Sequence, residues 1–163
     1  MKVLNILQKI EIMKRSNILF IILLMLLTTS CTNAKSNKDP EGEVVMLNKA
    51  DFLEKVFNYE KQSAEWLYEG EKPCIIDFYA DWCGPCKIIE PFIKELAAQY
   101  KDEVVFYRID VDEESELAAA FGISNIPLLL FVPMEGPPKV SLGAIPKATL
   151  EEQLKIVLLG MEL

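Results

Sequence analysis

The sequence predicts an α/β domain built on a mixed β-sheet, and three observations lead there. Two apolar runs, Cys74 to Ala80 and Val104 to Val111, read as buried strands, each followed by a segment with helical spacing. A late strand, Leu128 to Val132, is followed by the turn Glu135-Gly136-Pro137-Pro138 and a second strand, Lys139 to Leu142, which can pair back antiparallel. A last apolar-periodic stretch then closes the chain. Strands joined by helices, followed by a hairpin and a helix, give parallel and antiparallel neighbours in one sheet.

Before that domain, Lys14 and Arg15 precede an apolar run from Ile18 to Leu27, and Thr28-Thr29-Ser30-Cys31 follows. A positive start, a short apolar middle and small residues make a secretory signal over residues 1–30. The run is too short for an ordinary membrane span of about twenty residues. Met13 gives a better-proportioned signal than Met1. Residues 31–42, rich in Asn, Lys and Ser with Pro40 and Gly42, read as a flexible tether to a domain over 43–163.

Within that domain Glu43 to Leu47 is a short strand. Asn48 is placed to cap a helix from Lys49, with Phe52, Leu53, Val56 and Phe57 as its apolar stripe. The pattern is expected to continue through Trp66-Leu67-Tyr68 until Gly70 and Pro73 break it, with its aromatic residues serving as core or covering surface. The central strand opens on Cys74, read as a small core residue. Ile88, Ile89, Phe92, Ile93, Leu96, Ala97 and Tyr100 mark the next helix, where Pro91 removes one backbone donor. Glu113 to Phe121 is a short helix stopped by Gly122. Pro146 opens the final helix, with Leu150, Leu154, Ile156, Val157 and Leu158 apolar.

The chain has 163 residues and a formal net charge of -8. Without residues 1–30, which hold four basic groups and one acidic group, 13 basic and 24 acidic groups remain, a net charge of -11. Such a body does not neutralise phosphates, so nucleic acid is not an expected partner. There is no histidine, which removes imidazole from acid–base catalysis and metal binding.

The chemistry concentrates in Trp82-Cys83-Gly84-Pro85-Cys86-Lys87, between the central strand and its helix. Two cysteines at this spacing can close a small disulfide ring, and Gly84-Pro85 suits a tight entry into a helix. Thiolate is the nucleophile in disulfide exchange, and a helix N-terminus favours it at Cys83. Cys86, a turn deeper on the same side, is placed to resolve a mixed disulfide. The bare spacing is shared with zinc and haem-attachment sites. A zinc site needs two further ligands, normally another close pair, and Cys31 and Cys74 are not one.

Trp82 to Lys87, Asp77 six residues before Cys83, Pro91, the Ile126-Pro127 pair and Gly143-Ala144, in this order, resemble the thioredoxin family over roughly Val44 to Leu159. The resemblance implies a thioredoxin fold, a central mixed β-sheet flanked by helices on both faces. It implies a thiol-disulfide oxidoreductase that reduces protein disulfides through a Cys83/Cys86 cycle, without cofactor or metal. Cys83 would be the nucleophile and Cys86 the resolving thiol. Asp77, a carboxylate in an apolar strand whose burial should raise its pKa, would move the proton of the resolving thiol. Arg108 stands where the family usually has lysine; because arginine stays charged, it would hold Asp77 more ionised. Pro127 matches the family's cis-proline. Trp82, Gly84, Pro85, Ile126, Gly143 and Ala144 would form a shallow platform for partner proteins, and Leu128 departs from the usual threonine.

Leu27 to Cys31 resembles a bacterial lipoprotein signal, with Cys31 as the lipidated residue and Thr28 as a departure. These features imply a membrane-anchored protein on the periplasmic side, with a monomer as the default. It would act on disulfide-containing exported proteins and draw electrons from a membrane thiol carrier. A disulfide-forming oxidase or isomerase, and a binding module without turnover, are the alternatives.

Overall fold

The structure is a computed structural model that describes residues 42–61 and 65–162. Its elements are β1 (Val44–Met46), α1 (Lys49–Lys55), β2 (Cys74–Tyr79), α2 (Gly84–Gln99), β3 (Val105–Asp110), α3 (Ser115–Ala120), β4 (Leu128–Val132), β5 (Lys139–Leu142) and α4 (Lys147–Leu159). The expected signal at 1–30, the lipidation site Cys31 and all of the expected tether but Gly42 lie outside the described residues.

The five strands form one sheet in the order β1-β3-β2-β4-β5. β1 and β2 each pair parallel with β3, whereas β4 pairs antiparallel with both β2 and β5. The sheet is therefore mixed, as expected, and β2 lies at its centre. Side chains on a strand alternate between faces, and the core divides accordingly. Ile75, Phe106, Leu129 and Phe131 pack with Ile89, Ile93 and Leu96 of α2 and Leu150 and Leu154 of α4. Cys74, Ile76, Phe78, Tyr107, Ile109 and Leu130 pack on the other side with Phe52 of α1 and Leu117 of α3. Cys74 is a buried thiol in that second layer.

This alternation decides where Asp77 goes. It shares its face of β2 with Ile75, pairs across the ladder with Leu129, and so points into the layer covered by α2. Its neighbour across the parallel ladder is Arg108. The apolar residues on either side leave these two groups little besides each other and α2.

The first helix is shorter than its sequence pattern suggests. Asn48 caps it, its side chain accepting the Asp51 N–H at 2.8 Å. The helix nevertheless ends at Lys55 and does not reach Trp66. Asn58 uses its side chain to accept the Lys61 N–H at 3.1 Å, a local bond that competes with helix propagation. The chain then doubles back, the Glu69 N–H donating to Val56 O at 3.0 Å. Trp66 stacks on Phe57 with ring centroids 4.4 Å apart, so the partly buried Trp66 and Tyr68 cover the core, and they reach it through a loop.

Candidate active site

Cys83 is the residue that caps α2. Its Sγ accepts the Cys86 N–H at 3.2 Å, and the first turn of the helix carries no acidic residue. An anion on this sulfur would meet a backbone N–H and the positive end of a 16-residue helix with no opposing carboxylate in that turn. Cys86 lies inside the helix and lacks that capping position. The two are joined as a disulfide, with Cα atoms 5.3 Å apart. Both are buried, Cys83 at 3% exposure and Cys86 at 1%, while Trp82, Gly84 and Pro85 around them are exposed. α2 continues through Pro91, which sits on its exposed side.

The two cysteines form a small apolar cluster with Ala80, against which Tyr79, Val111 and Ile126 pack. Ile126 belongs to the loop before β4, and its bond to the buried Pro127 is cis. Gly143, after β5, donates its N–H to Pro127 O at 2.8 Å. Its φ of +79° is a conformation that side chains with a Cβ rarely adopt, which accounts for glycine there. Ala144 follows at the surface. Two loops distant in sequence are thus tied to each other, and Ile126 carries them to the disulfide.

Trp82 is 69% exposed, yet its ring is fixed: Nε1–H donates to Asp112 Oδ2 at 2.7 Å. Asp112 is itself placed by its N–H, which donates to Asp110 Oδ1 at 2.9 Å. The loop after β3 therefore orients the indole beside the disulfide. Asp112 was not legible as a partner, because 30 residues separate it from the ring and only the sheet brings them together.

Tyr79, which packs on the cysteine cluster, also meets a charged cluster. Asp77 is fully buried, and Arg108 Nε donates to its Oδ2 at 3.0 Å. Burial pushes the Asp77 carboxyl up to about 6, and the Arg108 guanidinium offsets only part of that rise. The expected rise from burial is present. The effect expected of Arg108 acts in the stated direction and is the smaller of the two. Arg108 Nη1 also lies 3.4 Å from Glu90 Oε1, and its guanidinium carbon sits 3.7 Å from the centre of the Tyr79 ring. Lys94 and Arg108 hold Glu90 below the usual carboxylate range. Glu90 follows Cys86 by four residues, one turn or about 6 Å along the helix. The spacing was the one signal that could have singled it out.

The described residues thus bring Cys83, Cys86 and Ile126 into one apolar cluster, and Asp77 and Arg108 into one buried ion pair. A thiol-disulfide couple at a helix N-terminus, flanked by exposed apolar and backbone surface, can exchange disulfides with an extended protein segment.

Comparison with known proteins agrees. A family model described as Thioredoxin matches residues 43–156. Thioredoxin of Borreliella burgdorferi is 41% identical over 111 residues, covering 68% of this chain and 94% of that protein. Thioredoxin of Alicyclobacillus acidocaldarius subsp. acidocaldarius is 41% identical over 90 residues, 55% of this chain and 86% of its own length. The chloroplastic M-type thioredoxin of Spinacia oleracea is 38% identical over 91 residues, 56% of this chain and 50% of the relative. Among solved structures, chloroplastic thioredoxin z superposes with a TM-score of 0.60 at 22% identity, over 71% of this chain and 94% of that one, a likeness of fold. The chain belongs to the thioredoxin family and is a thiol-disulfide oxidoreductase, a protein-disulfide reductase.

Proposed function

We propose that the chain is an exported, membrane-tethered thioredoxin that reduces the disulfides of other exported proteins. The capped sulfur of Cys83 carries this reading. In the reduced protein its thiolate attacks a substrate disulfide, forming a mixed disulfide and releasing one substrate thiolate. The Cys86 thiolate then attacks Cys83 Sγ, forming the Cys83–Cys86 disulfide and releasing the second substrate thiolate. The substrate gains two electrons. Two electrons from a membrane thiol carrier restore the dithiol. Asp77 accepts the proton of Cys86 as that thiol becomes a nucleophile. The exposed Trp82, Gly84, Pro85 and Ala144, with the half-buried Ile126 and Gly143, offer the surface on which the substrate segment lies, and Pro127 shapes its floor.

The direction of electron flow is tested by equilibrating Cys83–Cys86 with glutathione. A potential near that of reducing thioredoxins, about −270 mV, is expected, and a value near −120 mV would instead make the chain an oxidase. Catalysis of insulin reduction by dithiothreitol separates both from a binding module, which would give no acceleration.

Attachment rests on the sequence from Leu27 to Cys31. In cells, Cys31→Ala should move the protein from the membrane fraction to the soluble fraction, without changing insulin reduction by the purified chain. A variant that stays with the membrane would remove the lipid anchor from this reading.

A further inference from the structure

We infer that Glu90 is a positioning residue for the reaction, holding Arg108 so that its guanidinium engages a single oxygen of Asp77. Arginine and carboxylate commonly pair through two parallel N–H···O bonds. That arrangement is not the one found. Nε donates to Asp77 Oδ2 at 3.0 Å, while Asp77 Oδ1, buried with it, accepts no hydrogen bond from any described group. The reason lies at the far side of the guanidinium. Nη1 is drawn to Glu90 Oε1 at 3.4 Å, and the ring of Tyr79 supports the guanidinium at 3.7 Å. Glu90 itself is anchored, since Lys94 Nζ reaches the same oxygen at 2.6 Å. With Nη1 drawn toward Glu90 and its plane lying over the Tyr79 ring, the guanidinium presents Nε alone to Asp77.

The consequence is a buried carboxyl with one oxygen ion-paired and the other open to a proton. The charged groups that act on Asp77 are Arg108 from β3 and Glu90 from α2; β4 faces it with Leu129, and its own strand contributes Ile75 and Tyr79 on that face. Without Glu90, Arg108 is no longer shared between two carboxylates and is free to pair with both oxygens of Asp77. The nearby negative charge is lost as well. Both changes favour the ionised form of Asp77, so both lower the pH at which it takes up a proton. This inference rests on the proton-accepting role proposed for Asp77, because a weaker base at that position takes the Cys86 proton less readily.

The test is the titration of the Asp77 carboxyl carbon by NMR in the oxidised full chain, where neither Cys83 nor Cys86 titrates. Glu90→Gln should lower the midpoint from about 6 by roughly half a pH unit or more. In an Arg108→Lys background the same change should lower it by less, since an ammonium has no planar fork to redirect. No movement, an upward movement, or an equal drop in both backgrounds would overturn the inference. An equal drop would mean that Glu90 acts on Asp77 by its charge alone. Insulin reduction followed across pH 6 to 8.5 keeps the two readings apart. A midpoint that falls in Glu90→Gln while the rate keeps its pH dependence leaves Glu90 as the residue that places Arg108 and removes the proton role of Asp77.

Discussion

Cys83→Ser should reduce the catalysed rate of insulin reduction to the background of dithiothreitol alone, a loss of at least about three orders of magnitude in turnover. A hydroxyl at the helix N-cap can still accept the Cys86 N–H, as serine caps commonly do, so the fold is retained. The chemistry is not, because serine at neutral pH offers no anion to attack a disulfide. Cys86→Ser should behave differently. The first attack proceeds, the second has no thiolate, and the mixed disulfide accumulates at one substrate per chain until dithiothreitol releases it. Mass spectrometry of the trapped species identifies the sulfur. If Cys83→Ser is the variant that traps substrate, through Cys86, the two roles are reversed and the N-cap does not select the nucleophile.

Asp77→Asn should make the protein more stable at pH 7.5 and slower as a reductase. Burial raises the carboxyl from an ordinary 3.8 to about 6 in the folded chain. Between those values the folded state binds a proton that the unfolded state has released. Stability from this group is therefore greatest at low pH, falls as pH rises from about 4 to about 6, and stays low above that. About two pH units correspond to about 3 kcal/mol. Removing the charge recovers part of this, since Arg108 then loses a carboxylate partner in a buried place. A net gain on the order of 1–2 kcal/mol at pH 7.5 is expected in urea unfolding, with little gain at pH 4. An asparagine variant less stable than the parent at pH 7.5 would show that the ion pair outweighs the burial of the charge.

The kinetic part of this prediction has a scale. An ordinary thiol, with a pKa near 8.5, is about 3% ionised at pH 7, so loss of a base for a thiol of that kind slows its attack about thirtyfold, and the burial of Cys86 makes the loss larger. The deficit should shrink as pH rises and the thiol ionises unaided. A rate equal to the parent's from pH 6 to 9 would remove Asp77 from the proton path.

These expectations depend on features that differ in how far the sequence reveals them. The order of strands and helices was legible because each carries its own periodicity: Leu128 to Val132 and Lys139 to Leu142 appear as strands at those same bounds. Trp66 to Tyr68 misled because apolar spacing alone does not show that the Asn58 side chain would take a backbone N–H and that the chain would fold back on Val56. Cys83, Cys86 and Asp77 could be singled out because a reactive pair at a strand–helix junction and a carboxylate in an apolar strand are local anomalies. Asp112 and Glu90 are ordinary acidic residues on ordinary surfaces until the sheet places one beside Trp82 and the helix places the other beside Arg108.

The chain by itself determined the strand–helix alternation, the dithiol and where it sits, and the carboxylate in the central strand, because all are set by neighbours within a few residues. Tertiary structure alone decided how that carboxylate is held. Parallel pairing of β2 with β3 sets Arg108 opposite Asp77, and α2 lays Glu90 on the same guanidinium. Charges separated by 18 and 31 positions in the chain interact strongly only when folding removes the water between them.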